Sequence, residues 1–453
     1  TKMKHKSTKN VNNNVIKNVY VLFILISISF AQNKVELKQA DSLSSKELNN
    51  EVITTLNGNI IFQNNSTYLY GDVAVQSNRN DILKIFNNVK IIDEEKTIIC
   101  DSLFYDMVQE SIELFGNVQL KNLKQTVSSN FGIIDKKNDQ LTLKNKVKIK
   151  DGETYVEGDN VKIKFKNRKI DTIKIIENGI IFSNNYGFEK NKLNQNKKIK
   201  NVDILKGKLV NINLENDLVS GIELVGMASS FIHLYEDSLY QGNNNISGDK
   251  IILFFENNEA SALEAIGGVI GEFNPSETNQ KSPENINYVT DRVKFDAKSN
   301  QSQMYGNAQI VQPGFNITAA QIDINLNRNI LEAYDYNPFN KKDALIPTLI
   351  EDGREPISGK SMVYNTKSKK GKIVAASTSM QENKFFGKQI ITKSDSTFYI
   401  EDCIFTSCDP KKFYIGSKQA KIIYGDKIIL KPLNIVVGGV PIFGIPKAIF
   451  PHS

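Results

Sequence analysis

A 29-residue period, unbroken from Gly58 to about Asp171, limits this chain more than any other feature of its sequence. Asn59, Asn88, Asn117 and Lys146 fall at that step, and Asp72, Asp101, Asn130 and Asp159 form a second series at the same step. A single insertion would break either series, so four copies in phase define a true repeat. Periods of 20–50 residues belong to stacked architectures, in which each copy is one supersecondary unit that cannot bury its own face.

The columns of the repeat show what is stacked. Ile60, Val89, Val118 and Val147 share one column, and Phe62, Ile91, Leu120 and Ile149 share the next. Leu69, Ile98, Val127 and Val156 form a third, Leu56, Ile85, Leu114 and Leu143 a fourth, and Leu83, Ile112 and Leu141 a fifth. Columns two residues apart, with Lys90, Gln119 and Lys148 between them, follow the period of a strand that buries one face. Each copy is therefore about two strands with turns, and the copies stack into ladders of aliphatic side chains.

Before the repeat, residues 1–31 read as a secretory signal. A lysine-rich start precedes the apolar run Val19–Phe30 and the small-residue site Ser29-Phe30-Ala31. Twelve apolar residues are too few to span a bilayer as a helix. Those 31 residues carry five lysines and no acid, so without them the net charge falls from +7 to +2. That removes the basic excess expected of a nucleic-acid binder. Residues 32–51 are polar and are expected to form a linker, a loop or a short helix. Beyond Asp159 the step loosens: Asp159 to Asn178 and Asp249 to Gly268 are each 19 residues, as though later copies carry a three-residue insertion. Residues 52–397 are read as one run of such copies, interrupted by surface loops at 184–201, 274–287 and 336–359. Residues 398–453 change character, with Phe405-Thr-Ser-Cys-Asp-Pro410 followed by the apolar, Pro- and Gly-rich segment Val436–Pro451.

Enzyme chemistry is not expected. The three histidines, His5, His233 and His452, sit in no nucleophile motif, and His233 is expected half-buried in a strand. No Cys/His metal spacing, P-loop or dinucleotide fingerprint occurs, so no cofactor is expected. The repeated Asp are too sparse for a calcium array and are expected at turns or strand ends. Cys100 shares a column with Gly71, Ser129 and Gly158 and is expected as a small packed residue. Cys403 and Cys408 could pair with each other or reach a cysteine elsewhere.

The Gly-Asn-Val copy starts, with Asp about thirteen residues on, resemble the OstA-like domain of lipopolysaccharide-transport proteins. The Phe405–Pro410 motif and Val440–Pro451 resemble the joint between the periplasmic domain and the barrel of outer-membrane lipopolysaccharide (LPS) assembly proteins. The resemblance implies an all-β fold, a stacked antiparallel open jelly roll of two facing sheets (a β-taco), in the periplasm or at the outer membrane. It implies a β-barrel following the chain, and it gives Cys408 the role of pairing with a barrel cysteine. Its implied partners are LPS, other jelly-roll bridge proteins joined by strand-edge pairing, and, where the barrel exists, an outer-membrane lipoprotein plug. An open stack of this kind would offer acyl chains an apolar trough lined by Ile60, Phe62, Leu69, Ile85, Val89, Ile91, Ile98, Leu114, Val118, Leu120, Val127, Leu143, Val147, Ile149 and Val156. Two rivals are a soluble periplasmic LPS bridge protein without a barrel and a secreted β-solenoid for adhesion or polysaccharide binding. The second would want aromatic or Asp/Asn ladders on an outer face.

Overall fold

The structure is a computed structural model that describes residues 35–451, apart from residues 49–50, 78, 80, 94–95, 123–124, 168, 191–194, 217, 258, 278–283, 341–343, 353–354, 381–382, 395–396 and 408–411. The proposed signal and Cys408 lie outside the described residues. All regular elements among the described residues are β-strands. No helix among them is long and apolar enough to cross a membrane, which leaves strand-built spans untouched. The chain divides into two compact units, residues 1–241 with 250–261, and residues 242–249 with 262–453.

In the first unit an antiparallel meander runs through β1 (Glu36–Gln39), β2 (Ser42–Leu48), β3 (Glu51–Asn64), β4 (Thr67–Ser77), β5 (Ile82–Asp93), β6 (Lys96–Asp106), β7 (Ser111–Lys121), β8 (Gln125–Asp135), β9 (Gln140–Asp151) and β10 (Thr154–Lys166). Four longer strands follow: β11 (Lys169–Lys190), β12 (Asn196–Glu215), β13 (Leu218–Glu236) and β14 (Leu239–Glu256), of which residues 242–249 belong to the second unit. Nearly every pairing breaks register in mid-strand, between Asn57 and Ile60, Tyr70 and Val73, Phe86 and Val89, Ile99 and Ser102, and Phe115 and Val118. These breaks line up across the stack, so each strand is bent into two arms at a common spine. A bulge of this kind bends the strand and re-aims its side chains.

The two repeat markers build that spine. Asn59, Asn88, Asn117, Lys146 and Asn178 all adopt left-handed backbone, with φ between 43° and 58°. Asn tolerates that region better than most residues because its short side chain bonds locally. The amide of Asn88 donates to Asp72 Oδ2 at 2.7 Å, that of Asn117 to Asp101 Oδ2 at 3.0 Å and that of Asn178 to Asp159 Oδ2 at 2.7 Å. The repeated Asp thus stand at mid-strand corners rather than at the turns or strand ends expected for them. The 19-residue step from Asp159 to Asn178 preserves the same bond, so its extra residues lengthen an arm and leave that corner intact. Asn117→Val is expected to cost about 2 kcal/mol, from the left-handed strain and the lost hydrogen bond together. Asn117→Gly, which removes only the bond, should cost about half as much in urea unfolding.

Within the stretch 32–51, expected as a loop or short helix, residues 36–39 and 42–48 are strands. β1 and β2 are the two arms of a bent strand, both paired to β3, with Asp41 at the corner accepting from the Asn59 amide at 2.9 Å. Within the 184–201 stretch, expected as a surface loop, Asn184 to Lys190 pairs residue by residue with Val202 to Asn196. Its inward positions are polar, which hid the alternation.

The second unit uses the same device. β15 (Glu259–Pro275), β16 (Ile286–Asp296), β17 (Gln301–Gln312) and β18 (Phe315–Asn325) pair in sequence and shift register at mid-strand. Asn307 donates to Asp291 Oδ2 at 3.2 Å, so the start seen at Gly306-Asn307 is another corner. Beyond it, β19 (Ile330–Tyr334) and β20 (Thr348–Glu351) pair with opposite halves of β18. They are two arms of one bent strand, and the 335–347 excursion is inserted at its spine. β21 (Ile357–Ser358), β22 (Ser361–Asn365), β23 (Lys370–Met380), β24 (Asn383–Ser394), β25 (Thr397–Thr406) and β26 (Phe413–Ile423) carry the pairing onward. β27 (Lys427–Lys431), β28 (Leu433–Val437), β29 (Val440–Ile445) and β30 (Ala448–Pro451) end it. Thus the described strands of the stretch expected as a joint, β25 to β30, pair directly onto the stack, and Val440, Ile442 and Phe443 of β29 stand exposed.

Candidate functional site

All fifteen residues expected to line a trough lie on the inward faces of the first unit, and each is 5 % exposed or less. They fall on both arms. On one arm, Phe62, Leu69, Ile91, Ile98, Leu120, Val127, Ile149 and Val156 are direct register neighbours across β3 to β10. Ile60, Val89, Val118 and Val147 lie two residues nearer the spine on the same arm. On the other arm Ile85, Leu103 and Leu114 are successive partners, with Gly132 between Leu114 and Leu143. A single sheet leaves one face to solvent. Near-zero exposure on the inner face of both arms means that the arms cover one another, as two sheets packed face to face do.

The small column confirms that contact. A Cβ on Gly71 would stand 2.3 Å from Ile85 Cγ2 of the facing arm, and one on Gly158 would stand 2.4 Å from Ile175 Cγ2. Cys100, in the same column, is 2 % exposed and a free thiol, with burial pushing its pKa up to about 12. Cys403 is also a buried free thiol, pushed to about 12 by the same cause.

The edge opposite the spine is made of hairpin turns, and its inner lining turns polar. Thr67, Asp93, Gln125 and Thr154 are buried there, with Thr67 donating to Asp93 Oδ1 at 3.1 Å and Gln125 to Asp151 Oδ2 at 3.1 Å. Lys136, from the rim of the other arm, has its amine lowered to about 8 by burial, with Glu110 and then Asp93 pulling it back up. Asp93 ends β5 on one rim, and Lys136 follows β8 on the other. Aliphatic interior, spine and polar mouth together form a folded-over sheet. No group of three or more His, Cys, Asp and Glu among the described residues is placed to hold a metal.

Sequence reasoning missed two clusters. On the outer face, Phe86, Phe104, Phe115 and Phe131 form a row with ring centroids 4.9–5.9 Å apart. Lys84 lies over Phe104 at 5.0 Å and Lys144 over Phe131 at 5.7 Å. Phe86 and Phe115 keep the 29-residue step, whereas Phe104 and Phe131 do not, so only half the row was visible as a column. The second cluster is inside. His233 Nδ1 lies 2.8 Å from Asp203 Oδ1, its backbone N–H donates to the same oxygen at 2.8 Å, and Asn185 donates to Asp203 Oδ2 at 2.5 Å. Burial drives the Asp203 carboxyl above its ordinary range, against the bonds from His233 and Asn185. His233 is in a strand as expected; its partner lies thirty residues upstream and carries no local signal.

The fold and interior define an all-β, antiparallel, folded-over jelly-roll stack. Within it, residues 32–160 match the family described as OstA-like protein, and residues 238–330 match the family described as LptA/(LptD N-terminal domain) LPS transport protein. The chain therefore carries an OstA-like stretch, as its copy starts suggested, and a separate stretch similar to the LptA/LptD N-terminal domain. Among solved structures, it is similar to LptH, the LptA homologous periplasmic component of the lipopolysaccharide transport device from Pseudomonas aeruginosa, at 13 % identity and a TM-score of 0.21, over 27 % of this chain and 76 % of that one. No curated protein sequence matches the chain.

Proposed function

We propose that this chain carries LPS across the periplasm, with the acyl chains held between the two arms and the charged headgroup outside the mouth, as the periplasmic part of an outer-membrane LPS-assembly translocon. The observation that carries this reading is the set of fifteen aliphatic and aromatic residues held in register on facing arms that are joined at the spine. Each CH₂ taken out of water gains about 0.8 kcal/mol. An acyl chain entering between the arms replaces one apolar contact by another, so parting the arms around it exposes little new apolar surface to water. Aliphatic walls make no directional bonds, and the guest can slide along the ladders. Net movement needs a push from another component. Exposed strand edges at the ends of the stack suit pairing with bridge proteins of the same fold. The two family matches support the LPS-transport reading; pairing with a lipoprotein plug follows if a barrel is attached.

The outer Phe row favours a second reading, in which carbohydrate stacks on the outside of the first unit. Competition separates the two. Purified protein should bind fluorescent LPS saturably, and unlabelled LPS should displace it, while the deacylated saccharide should not compete at a hundredfold excess. Equal competition by the saccharide would move the site to the outer face and end the lipid-carrying reading.

A further inference from the structure

One inner ladder of the first unit does not stay apolar. It runs through Ile149, Val156, Ile181 and Leu205, each the register partner of the one before, and the next member, opposite Leu205, is Ser230 of β13. Ser230 is fully buried, and its hydroxyl meets no hydrogen-bond partner among the described residues. The polar row nearer the mouth passes in the same way through Asp151, Thr154, Ser183 and Asp203. Asn185, two residues beyond Ser183, is inward too and 5 % exposed. Its amide N–H donates to Asp203 Oδ2 at 2.5 Å, and Asp203 Oδ1 accepts from the His233 backbone N–H at 2.8 Å. Asn185 Oδ1 is left buried with no partner among the described residues. In the register, the lining of a small cavity lies between these two open atoms. Ile181, Leu205 and Ile232 line it from this arm, with Ser183 and Asp203 at its polar side, and Leu253 and Phe255 line it from the facing arm. Leu253 belongs to that arm because it runs beside Gly221 of β13, where a Cβ would stand 3.6 Å from Leu253 O.

We propose that Ser230 and Asn185 form a hydrogen-bonding station between the arms that favours acyl chains carrying a hydroxyl group. The inference rests on the lipid-carrying reading and adds a property of the guest. Buried polar groups are nearly always paired, and one left unpaired bears the full cost of its desolvation. Two such atoms in one patch, on a wall that is aliphatic elsewhere, call for a partner that arrives with the guest. That guest has to be apolar to lie along the ladders. It also has to bring a donor for Asn185 Oδ1, and a donor or an acceptor for Ser230 Oγ. A hydroxyl on an alkyl chain can serve either atom, whereas a plain alkyl chain serves neither. A charged group would be desolvated there without a counter-ion. The patch adjoins the polar row at the mouth, so the hydroxyl belongs near the headgroup end of the chain rather than at its tail.

Two probes of equal length test this on the full chain, tetradecanoic acid and 3-hydroxytetradecanoic acid. A photo-crosslinking residue is placed at Leu253, across the cavity, or at Ile91 in a distant copy, and adducts with an equimolar mixture of the two acids are counted by mass spectrometry. At Leu253 the hydroxylated acid should exceed the plain one by about fivefold, the discrimination that one net hydrogen bond gives, relative to their ratio at Ile91. Ser230→Ala, confirmed folded by circular dichroism, should bring the ratio at Leu253 down towards that at Ile91. Equal ratios at the two positions in the unsubstituted chain, or adducts at Ile91 alone, would overturn the station and leave the patch to water. A folded Ser230→Ala that keeps the full preference would overturn the role of Ser230. If neither acid forms an adduct at either position, the lipid-carrying reading itself falls, an outcome distinct from the others.

Discussion

Leu114→Asp is expected to unfold the first unit around the third copy, at a cost of about 4 kcal/mol, while Glu113→Ala next to it should change stability by less than about 0.5 kcal/mol. Leu114 is fully buried, with Leu103 and Gly132 as its register neighbours. No cation stands in that ladder to pair with a carboxylate, so the new charge would be both desolvated and alone. Glu113 alternates to the outward face of the same strand, where water solvates it. The contrast between adjacent positions tests the inward assignment of the column rather than a general sensitivity of β7. Because each copy contacts only its neighbours, the damage should spread through the adjoining copies first. Urea unfolding followed by circular dichroism should show the midpoint falling steeply for Leu114→Asp and holding for Glu113→Ala.

Much of this arrangement was legible from the period. The columns through Ile60, Phe62, Leu69 and Ile85 were visible because one 29-residue copy is one pair of bent strands, so every inward position recurs at the same step. The two polar markers recurred for a reason that sequence alone did not reveal: Asp101 and Asn117 are each other's hydrogen-bond partners at a bend. Polar residues in a β pattern usually mark turns or strand ends, and only the pairing shows strands running through Asp101 and Asn117. The fold-back puts the spine at the Asn/Asp line and the hairpin turns along the opposite edge. The β11–β12 tips escaped for the opposite reason. Ser183, Asn185, Gly187 and Asp203 occupy inward positions that are aliphatic elsewhere, so an ordered hairpin carried the composition of a loop. The Asp203–His233 contact joins two strands and leaves no spacing rule behind it.

The burial of all fifteen residues sharpens the lipid-carrying proposal. A permanently open trough would leave its walls exposed, but these walls are covered by one another, so carrying a lipid means parting the arms about the spine. Occupancy should then be read at inward positions and at no neighbouring outward one. Ile91 and Leu120 are 1 % and 4 % exposed on one inner ladder, while Lys90 and Gln119 are their outward neighbours. The most direct measurement places a photo-crosslinking residue at each of these four positions in the full chain, in cells that make LPS, and looks for the LPS adduct after irradiation. Adducts at Ile91 and Leu120, with none at Lys90 and Gln119, are the result expected if acyl chains travel between the arms. Adducts at Lys90 and Gln119 but not at Ile91 and Leu120 would place the lipid on the outside of the stack and contradict the account.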